Sequence, residues 1–163
     1  MSLTEKDSQY LWHPYTQHKT ASAPIAITKG KGALLWDENG KEYIDAIASW
    51  WVNPYGHSNT FIAEAIYKQL TTLEHVLFGG FTHQPAVEVA EKLVTILPKN
   101  QQKIFFSDNG STAVEIAIKV ALQYFFNKGE KRTTIIAFEN AFHGDTFAAM
   151  AASGISLFTD AFQ

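Results

Sequence analysis

The chain has 163 residues, of which 46% are hydrophobic and 18% are charged, a composition that favours a folded core over disorder. Its 13 Lys and Arg residues against 16 Asp and Glu residues give a net charge of −3, so there is no electrostatic case for binding nucleic acid or an anionic membrane surface. Cysteine is absent, which excludes disulfides and thiolate metal sites.

The start of the chain and its hydropathy predict where the protein resides. The first residues contain no apolar stretch after a basic start, so they do not resemble a secretory signal. No apolar run approaches the roughly 20 residues that a membrane helix requires. We therefore expect a soluble cytoplasmic protein without a membrane segment.

The first third of the chain predicts an arm followed by short strands. Residues 1–23 lack periodicity and predict an extended or loosely helical arm. Short strands are expected at 25–28 and 33–36. An Asp-Glu-Asn-Gly turn signal and the partial alternation after it predict a β-hairpin over 33–48. A loop is expected over 50–59.

Two helices are predicted in the middle of the chain. A helical stripe of apolar residues predicts a helix that begins after Ser58 or Asn59. Residues 71–83, which contain two adjacent glycines between phenylalanines, interrupt the periodicity. Pro85 suits the first turn of a second helix, which is expected to run to about Leu97.

The segment after residue 103 predicts a βαβ unit. An apolar run at 104–106 is typical of a strand covered on both faces, and 134–138 is a second such run. Between them, residues 111–126 predict a mostly buried helix, and Thr112 with Glu115 has capping-box spacing at its start. A strand, a helix and a strand in this order imply parallel strands and a right-handed crossover.

The turn between the first of these strands and the helix is a candidate anion site. Open α/β sheets bind ligands at this place, and the free N–H groups at a helix start favour an anion. Gly110 lets the backbone approach such an anion, and Ser111 adds a hydroxyl donor. An ordinary helix cap is the alternative. Neither a Walker motif nor a dinucleotide fingerprint is present, so a small phosphorylated cofactor fits better.

The loop after the second strand is expected beside that turn, because sequential parallel strands are often neighbours. Phe142 is either a cover for a flat heteroaromatic ring or a core aromatic. His143 suggests acid–base chemistry or, more commonly beside glycine, a structural role. Asp145 orients the loop, pairs with a distant arginine or caps the stretch that follows.

Aromatic residues in the first third form another candidate site. Trp50 and Trp51 precede a loop with proline and glycine, and one of their rings can wall a long apolar substrate. Packing beneath the N-terminal arm is the alternative, favoured for Trp51. Tyr15 lies in the arm, where an aromatic residue needs a partner to be ordered.

Five segments carry a resemblance to a known family. They resemble the class III aminotransferases of the fold-type-I pyridoxal phosphate group, in particular those that aminate 8-amino-7-oxononanoate with S-adenosylmethionine in biotin biosynthesis. The segments occur in family order, at 12–17, 49–51, 75–83, 107–111 and 142–147.

The resemblance implies an α/β fold of which the chain holds the beginning. Residues 1–57 are expected to form an N-terminal arm and a β segment of the small domain. Residues 58–163 are expected to form the first part of the large parallel-sheet domain, which binds pyridoxal phosphate.

The resemblance also assigns roles to single residues. Gly110 and Ser111 match the pair that binds the cofactor phosphate. Phe142 matches the aromatic stacked on the cofactor ring, a position where tyrosine is common, and it is also expected to contact the substrate, without the polar contact that a tyrosine hydroxyl would make. Trp50 and Tyr15 match residues that contact the substrates in this family.

Asp145 matches an acidic residue near the substrate-binding region of the family. A sulfonium donor that carries adenine suits an aromatic site.

The residues that the family uses for covalent chemistry lie beyond residue 163. These are the Schiff-base lysine, the aspartate at the pyridine nitrogen and the arginine that binds the substrate carboxylate. Lys103 and Lys119 are not credible substitutes, so the chain alone is predicted to have no transaminase activity. The resemblance further implies a homodimer with a shared active site, in which 71–83 contributes to the interface.

Alternatives remain open. Another class III aminotransferase, acting on ω-amino acids or ornithine, is one. A non-catalytic module that binds phosphate, complete at 163 residues, is a second, and a purely structural fragment is a third.

Overall fold

The computed structural model describes residues 1–154 and 160. By its internal contacts the chain divides into two units, Met1–Phe81 and Thr82–Gln163. The expected boundary after residue 57 concerns the domains of the whole fold and stays a prediction. No helix in the described part combines the length and apolar character needed to cross a membrane.

The first unit starts with helix α1, Leu3–Tyr10. Its cap is reciprocal, since the Glu5 N–H donates to Ser2 Oγ at 3.2 Å and the Ser2 N–H donates to Glu5 Oε2 at 2.7 Å. The predicted arm therefore begins as a capped helix of two turns.

A three-stranded antiparallel sheet follows, in the order β1-β2-β3. The strands are β1 (Ile27–Lys31), β2 (Leu34–Asp37) and β3 (Glu42–Ile44). The hairpin predicted over 33–48 is confirmed by the pairing of β2 with β3. The first strand begins two residues later than expected and runs further, to Lys31.

The turn between β2 and β3 is held by the carboxylate of Asp37. It accepts hydrogen bonds from the N–H groups of Asn39 and Lys41 at 2.9 and 3.0 Å and from the hydroxyl of Tyr43 at 2.9 Å. Burial raises the pKa of Asp37, but the three hydrogen bonds outweigh burial and hold that pKa below its ordinary value.

Beyond the sheet the first unit contains α2 (Ala48–Trp51) and α3 (Thr60–Thr72). α3 confirms the helix predicted from periodicity, and Asn59 is its cap, with Oδ1 accepting from the Ile62 N–H at 3.2 Å. α2 replaces the start of the loop expected over 50–59.

The second unit contains α4 (Gln84–Ile96), α5 (Gly110–Asn127) and α6 (Phe147–Ala152). α4 has a proline in its first turn and ends one residue before Leu97, as predicted. The helix predicted over 111–126 is confirmed as α5, but the expected burial is wrong, since none of its residues is buried.

The two predicted strands that flank α5 are wrong. Residues 104–106 and 134–138 lack regular structure, and the one sheet in the described part is antiparallel. An extended segment becomes a strand only when a neighbour supplies ladder hydrogen bonds, and no described segment does so here. Apolar side chains of these segments consequently stay exposed, 75% for Phe105 and 95% for Ile136.

Candidate functional site

The start of α5 is capped by the residue before it. Asn109 Oδ1 accepts from the Thr112 N–H at 2.9 Å, and Thr112 Oγ1 accepts from the Asn109 N–H at 3.3 Å. The N–H groups of Gly110 and Ser111, the first two of the helix, have no carbonyl partner within the helix. Together with the positive end of the helix dipole they favour an anion.

The predicted pairing of Thr112 with Glu115 in a capping box is wrong. The helix starts one residue earlier than expected, at Gly110, so the cap falls to Asn109 and its reciprocal partner is Thr112. Glu115 faces α6 instead. Its Oε2 accepts from the Thr146 hydroxyl at 2.8 Å and from the Ala148 N–H at 3.1 Å, which fastens the start of α6 to α5.

The loop before α6 lies directly against the first turn of α5. The Asp145 N–H donates to Ser111 Oγ at 3.0 Å. Gly144 is buried with φ +132°, and a Cβ there would lie 2.5 Å from Ser111 Oγ and 2.7 Å from Ser111 Cα. This approach is open only to glycine. The expected proximity is found, but the loop itself makes the contact and not a pair of neighbouring parallel strands.

The end of α6 closes the same loop from the other side. Ser153 Oγ accepts from the His143 N–H at 3.1 Å and donates to the Ala149 carbonyl at 2.8 Å. Ala149 is fully buried, the one such hydrophobic side chain among the described residues. Nε2 of His143 is buried and, within residues 1–154 and 160, has no hydrogen-bond partner. A buried orphan nitrogen indicates that a polar group belongs beside it.

These elements surround an open groove of about 740 Å³. Its lining residues are Asn109, Gly110, Ser111, Val114, Phe142, His143, Gly144, Asp145 and Thr146. The space that a Cβ on Gly110 would enter is empty to 4 Å, so a ligand can reach the helix start. Phe142 is 58% exposed and offers a ring face. The groove combines free helix N–H groups that can bind an anion, a hydroxyl donor and an exposed aromatic ring. It therefore suits a small phosphorylated aromatic ligand.

A second groove, of about 650 Å³, lies beside the C-terminal half of α5. Leu122 and Phe126 make part of its wall, and it contains none of the predicted site residues. Its lining also includes Lys119, Lys131 and Arg132, but it contains no helix start, so it lacks the free backbone N–H groups that begin a helix.

In the first unit the two predicted aromatic residues contact each other. The ring centroids of Tyr15 and Trp50 are 5.4 Å apart, with an interplanar angle of 51°. This is a tilted aromatic pair within the usual contact distance. Both side chains are largely exposed, so the pair presents a surface that a flat or cationic group can contact.

Trp50 lies in a left-handed turn. The φ angles of Ala48, Ser49, Trp50 and Trp51 are +49°, +47°, +61° and +70°. Left-handed backbone costs residues other than glycine about 1 kcal/mol or more each. The sequence Ala-Ser-Trp-Trp contains no glycine that would have predicted this turn.

The carboxylate of Asp45 stabilises this turn through hydrogen bonds. It accepts from the N–H of Ser49 at 2.9 Å, from the Ser49 hydroxyl at 2.7 Å and from His57 Nε2 at 2.7 Å. The backbone hydrogen bond from Ser49, then its hydroxyl and His57, lower the pKa of Asp45 from 3.8 to about 2. The carboxylate is therefore charged at neutral pH.

The Asp45, Ser49 and His57 cluster does not have hydrolase geometry. In a catalytic triad the carboxylate and the serine contact different ring nitrogens of the histidine. Here both contact Nε2, with Ser49 Oγ at 3.5 Å and Asp45 Oδ2 at 2.7 Å. The cluster supports the backbone and does not activate the serine.

The structure thus brings Gly110, Ser111, Phe142 and Asp145 together in the second unit, and Tyr15 with Trp50 in the first. Their roles toward cofactor and substrate stay predictions. Three supporting residues were missed from the sequence, namely Asp45, Glu115 as a tie to α6, and Gly144 as an obligatory glycine. Glu115 was predicted only as part of a helix cap, and Asp45 only as part of the hairpin.

Comparison with protein families matches residues 15–162 to the class III aminotransferases. An adenosylmethionine-8-amino-7-oxononanoate aminotransferase of Synechococcus elongatus is 51% identical over 154 residues, which are 94% of this chain and 36% of that protein. The Staphylococcus aureus enzyme of the same name is 44% identical over 99% of this chain and 37% of its own length. The chain spans little more than a third of these relatives.

Solved structures give the same result. A crystal structure of adenosylmethionine-8-amino-7-oxononanoate aminotransferase from Methanocaldococcus jannaschii is similar with a TM-score of 0.92 and 43% identity, over 98% of this chain and 37% of that one. An omega transaminase from Pseudomonas jessenii in complex with PMP is similar with a TM-score of 0.91 and 34% identity, over 99% and 37%.

Proposed function

The chain belongs to the class III aminotransferases, and we propose that it is the N-terminal part of an enzyme that moves the amino group of S-adenosylmethionine to 8-amino-7-oxononanoate. The product is 7,8-diaminononanoate, in biotin biosynthesis. The observation that carries the site proposal is the seating of the 142–146 loop on the start of α5, 3.0 Å from Asp145 N to Ser111 Oγ.

Pyridoxal phosphate, when bound, accepts the amino group of one substrate and returns it to the next. The N–H groups of Gly110 and Ser111 and the Ser111 hydroxyl would bind its phosphate. The free space beside Gly110 and the exposed ring face of Phe142 support this assignment. Phe142 would cover one face of the pyridine ring and exclude water from it.

Substrate recognition is assigned to two places. Tyr15 and Trp50 would contact the substrates, and their paired rings suit a flat adenine and a cationic sulfonium. Asp145, on the rim of the groove, would face the substrate region. Its backbone is held by Ser111, so its position is tied to that of the phosphate seat.

The groove contains an anion seat but no amine. None of its lining residues is lysine, and all of them belong to the described part of the chain. Transamination needs an amine at the aldehyde carbon of the cofactor, so we propose that residues 1–163 are inactive by themselves. The complete enzyme, meaning the proposed longer protein that contains this chain, would supply the lysine.

We also propose a cytoplasmic homodimer. The exposed side chains of Leu77, Phe78 and Phe81, 54 to 63% accessible, support a covered position for the 71–83 segment in an assembly. Light scattering of the complete enzyme checks this, since a monomeric mass at micromolar concentration would contradict it.

An assay of the complete enzyme tests the function. We expect 7,8-diaminononanoate to form from 8-amino-7-oxononanoate only when S-adenosylmethionine and pyridoxal phosphate are both present. The 163-residue chain, assayed in parallel, should form none. Amino transfer from other donors but not from S-adenosylmethionine would contradict the proposal.

The second candidate is an enzyme that uses ω-amino donors. It is favoured by the similarity to the Pseudomonas jessenii omega transaminase structure, at a TM-score of 0.91. The same assay with an ω-amino acid as donor distinguishes the two candidates.

A further inference from the structure

The left-handed turn of α2 needs an explanation, because nothing in its own sequence favours it. Four consecutive residues, none of them glycine, have positive φ. Backbone of this kind persists only where surrounding contacts hold it, and such segments cluster at functional sites. The contacts that hold this turn therefore fix whatever its side chains do.

The turn has backbone hydrogen bonds, such as that from the Trp51 N–H to the Ile47 carbonyl at 2.9 Å, and its side-chain hydrogen bonds converge on one carboxylate. Asp45 Oδ1 accepts from the Ser49 N–H and Asp45 Oδ2 from the Ser49 hydroxyl, at 2.9 and 2.7 Å. The side chain of Asp45 is only 6% exposed, so water competes little for these bonds. Ser49 is bonded through both its backbone and its side chain, and it immediately precedes Trp50.

Asp45 is in turn anchored to the sheet. Its N–H donates to the Ala33 carbonyl at 2.8 Å, and its carboxylate is hydrogen-bonded to Nε2 of His57. His57 is tied to Gly32 by two backbone hydrogen bonds of 2.9 and 3.0 Å. Gly30 permits this approach, because a Cβ there would lie 2.8 Å from the Cβ of His57.

The chain of contacts ends at the aromatic pair. From the sheet it runs through His57 and Asp45 to Ser49 and then to Trp50, whose ring lies 5.4 Å from that of Tyr15. An aromatic contact depends on ring orientation, and Trp50 is 59% exposed, so packing alone does not fix it. The backbone beneath it must do so.

We propose that Asp45 and His57 are positioning residues that hold Trp50 beside Tyr15 and so set the affinity for the substrate that contacts this pair. The part about substrate rests on the proposed function. The part about Trp50 does not, since it follows from the contacts of the turn. Neither residue touches the reacting atoms in this proposal.

The chain offers a matched control for Asp45. Asp37, in the same sheet, also accepts three hydrogen bonds, from Asn39, Lys41 and Tyr43. It holds the β2–β3 turn and has no contact with α2 among these bonds. Asp37→Ala thus removes as many hydrogen bonds from the sheet as Asp45→Ala, without releasing Trp50.

The test uses the complete enzyme labelled with 5-fluorotryptophan. The fluorine resonance of Trp50 is identified by its loss in Trp50→Phe. We expect Asp45→Ala and Tyr15→Leu to shift this resonance, and Asp37→Ala to leave it in place. In Asp45→Ala, the KM for the substrate that contacts the Tyr15 and Trp50 rings should rise about twofold to tenfold, with kcat little changed. In Asp37→Ala this KM should stay at the wild-type value.

Several outcomes would overturn the inference. An unshifted Trp50 resonance in Asp45→Ala would refute the positioning role, and so would an equal shift in Asp37→Ala. A shifted resonance with unchanged KM would refute the part about substrate. If Asp45→Ala does not fold, Ser49→Ala removes the hydroxyl that binds Asp45 and must shift the resonance from its wild-type position, and an unshifted resonance would refute the positioning role. If the enzyme does not use S-adenosylmethionine, the proposed function fails, yet the fluorine shift still decides the role of Asp45.

Discussion

Two glycines on one groove are expected to respond in opposite ways to the same substitution. A Cβ on Gly144 would lie 2.5, 2.7 and 2.8 Å from Oγ, Cα and Cβ of Ser111, and φ is +132° there. A Cβ on Gly110 would meet no atom within 4 Å. Alanine at either position adds one methyl group, so the comparison isolates packing and backbone conformation.

The expected loss of stability in Gly144→Ala has two contributions, the steric overlap of the added methyl group and the strain of the backbone. Forcing a methyl group into filled space costs about 1–3 kcal/mol, and a residue other than glycine in this region of φ costs about 1–3 kcal/mol more. Gly144→Ala is therefore expected to destabilise the apoenzyme by about 2–6 kcal/mol. Gly110→Ala, in the first turn of a helix, should be neutral or stabilising by up to about 1 kcal/mol.

Thermal unfolding of the complete apoenzyme measures both effects, since cofactor binding would otherwise add its own stabilisation. Gly144→Ala should lower the midpoint and Gly110→Ala should not. Gly110→Ala should instead weaken binding of pyridoxal phosphate, because its methyl group enters the groove. A midpoint for Gly144→Ala equal to that of Gly110→Ala would refute the close approach of the loop to α5.

Three further predictions concern Glu115, Phe142 and Asp45. Glu115→Gln weakens the acceptor that binds Thr146 and Ala148, so we expect the apoenzyme to lose about 1 kcal/mol of unfolding free energy in urea, and no loss would contradict the tie between α5 and α6. Phe142→Leu should raise the Kd for pyridoxal phosphate about twofold to tenfold in an absorbance titration, whereas Phe142→Tyr should not. Asp45 has a pKa of about 2 in the fold against 3.8 ordinarily, so its stabilisation is complete above about pH 4 and is lost as the pH falls toward 2. Unfolding midpoints measured across this interval should be less pH-dependent in Asp45→Asn, and an unchanged dependence would contradict the assignment.

Helices α3, α4 and α5 were predictable because their signals are local. Asn59 caps α3, a proline opens α4, and α5 is long and strongly apolar. Periodicity and caps act within a few residues, so they can be recognised in the sequence. The hairpin of β2 and β3 was predictable for the same reason, since its turn joins adjacent segments.

The errors arose where structure depends on distant partners. Residues 104–106 and 134–138 have the composition of strands but lack neighbours among the described residues. Their apolar character indicates a covered position, and the chain spans about 36% of the length of its relatives. Composition can predict that a segment needs partners, but it does not identify them.

Part of the candidate site was likewise accessible from the sequence. The Gly110 and Ser111 turn and the loop at Phe142 were predicted to meet, and they do. The residues that support the two candidate sites, one in each unit, were not predictable. Asp45 stabilises a left-handed turn that contains no glycine, so the sequence did not indicate the turn. Glu115 has the spacing of a helix cap but contacts another helix.

A structure of the complete enzyme with pyridoxal phosphate tests the central claim most directly. We expect phosphate oxygens within about 3 Å of the N–H groups of Gly110 and Ser111, and the ring of Phe142 stacked on the pyridine. A phosphate bound elsewhere, or a Phe142 ring turned away from the cofactor, would contradict the account.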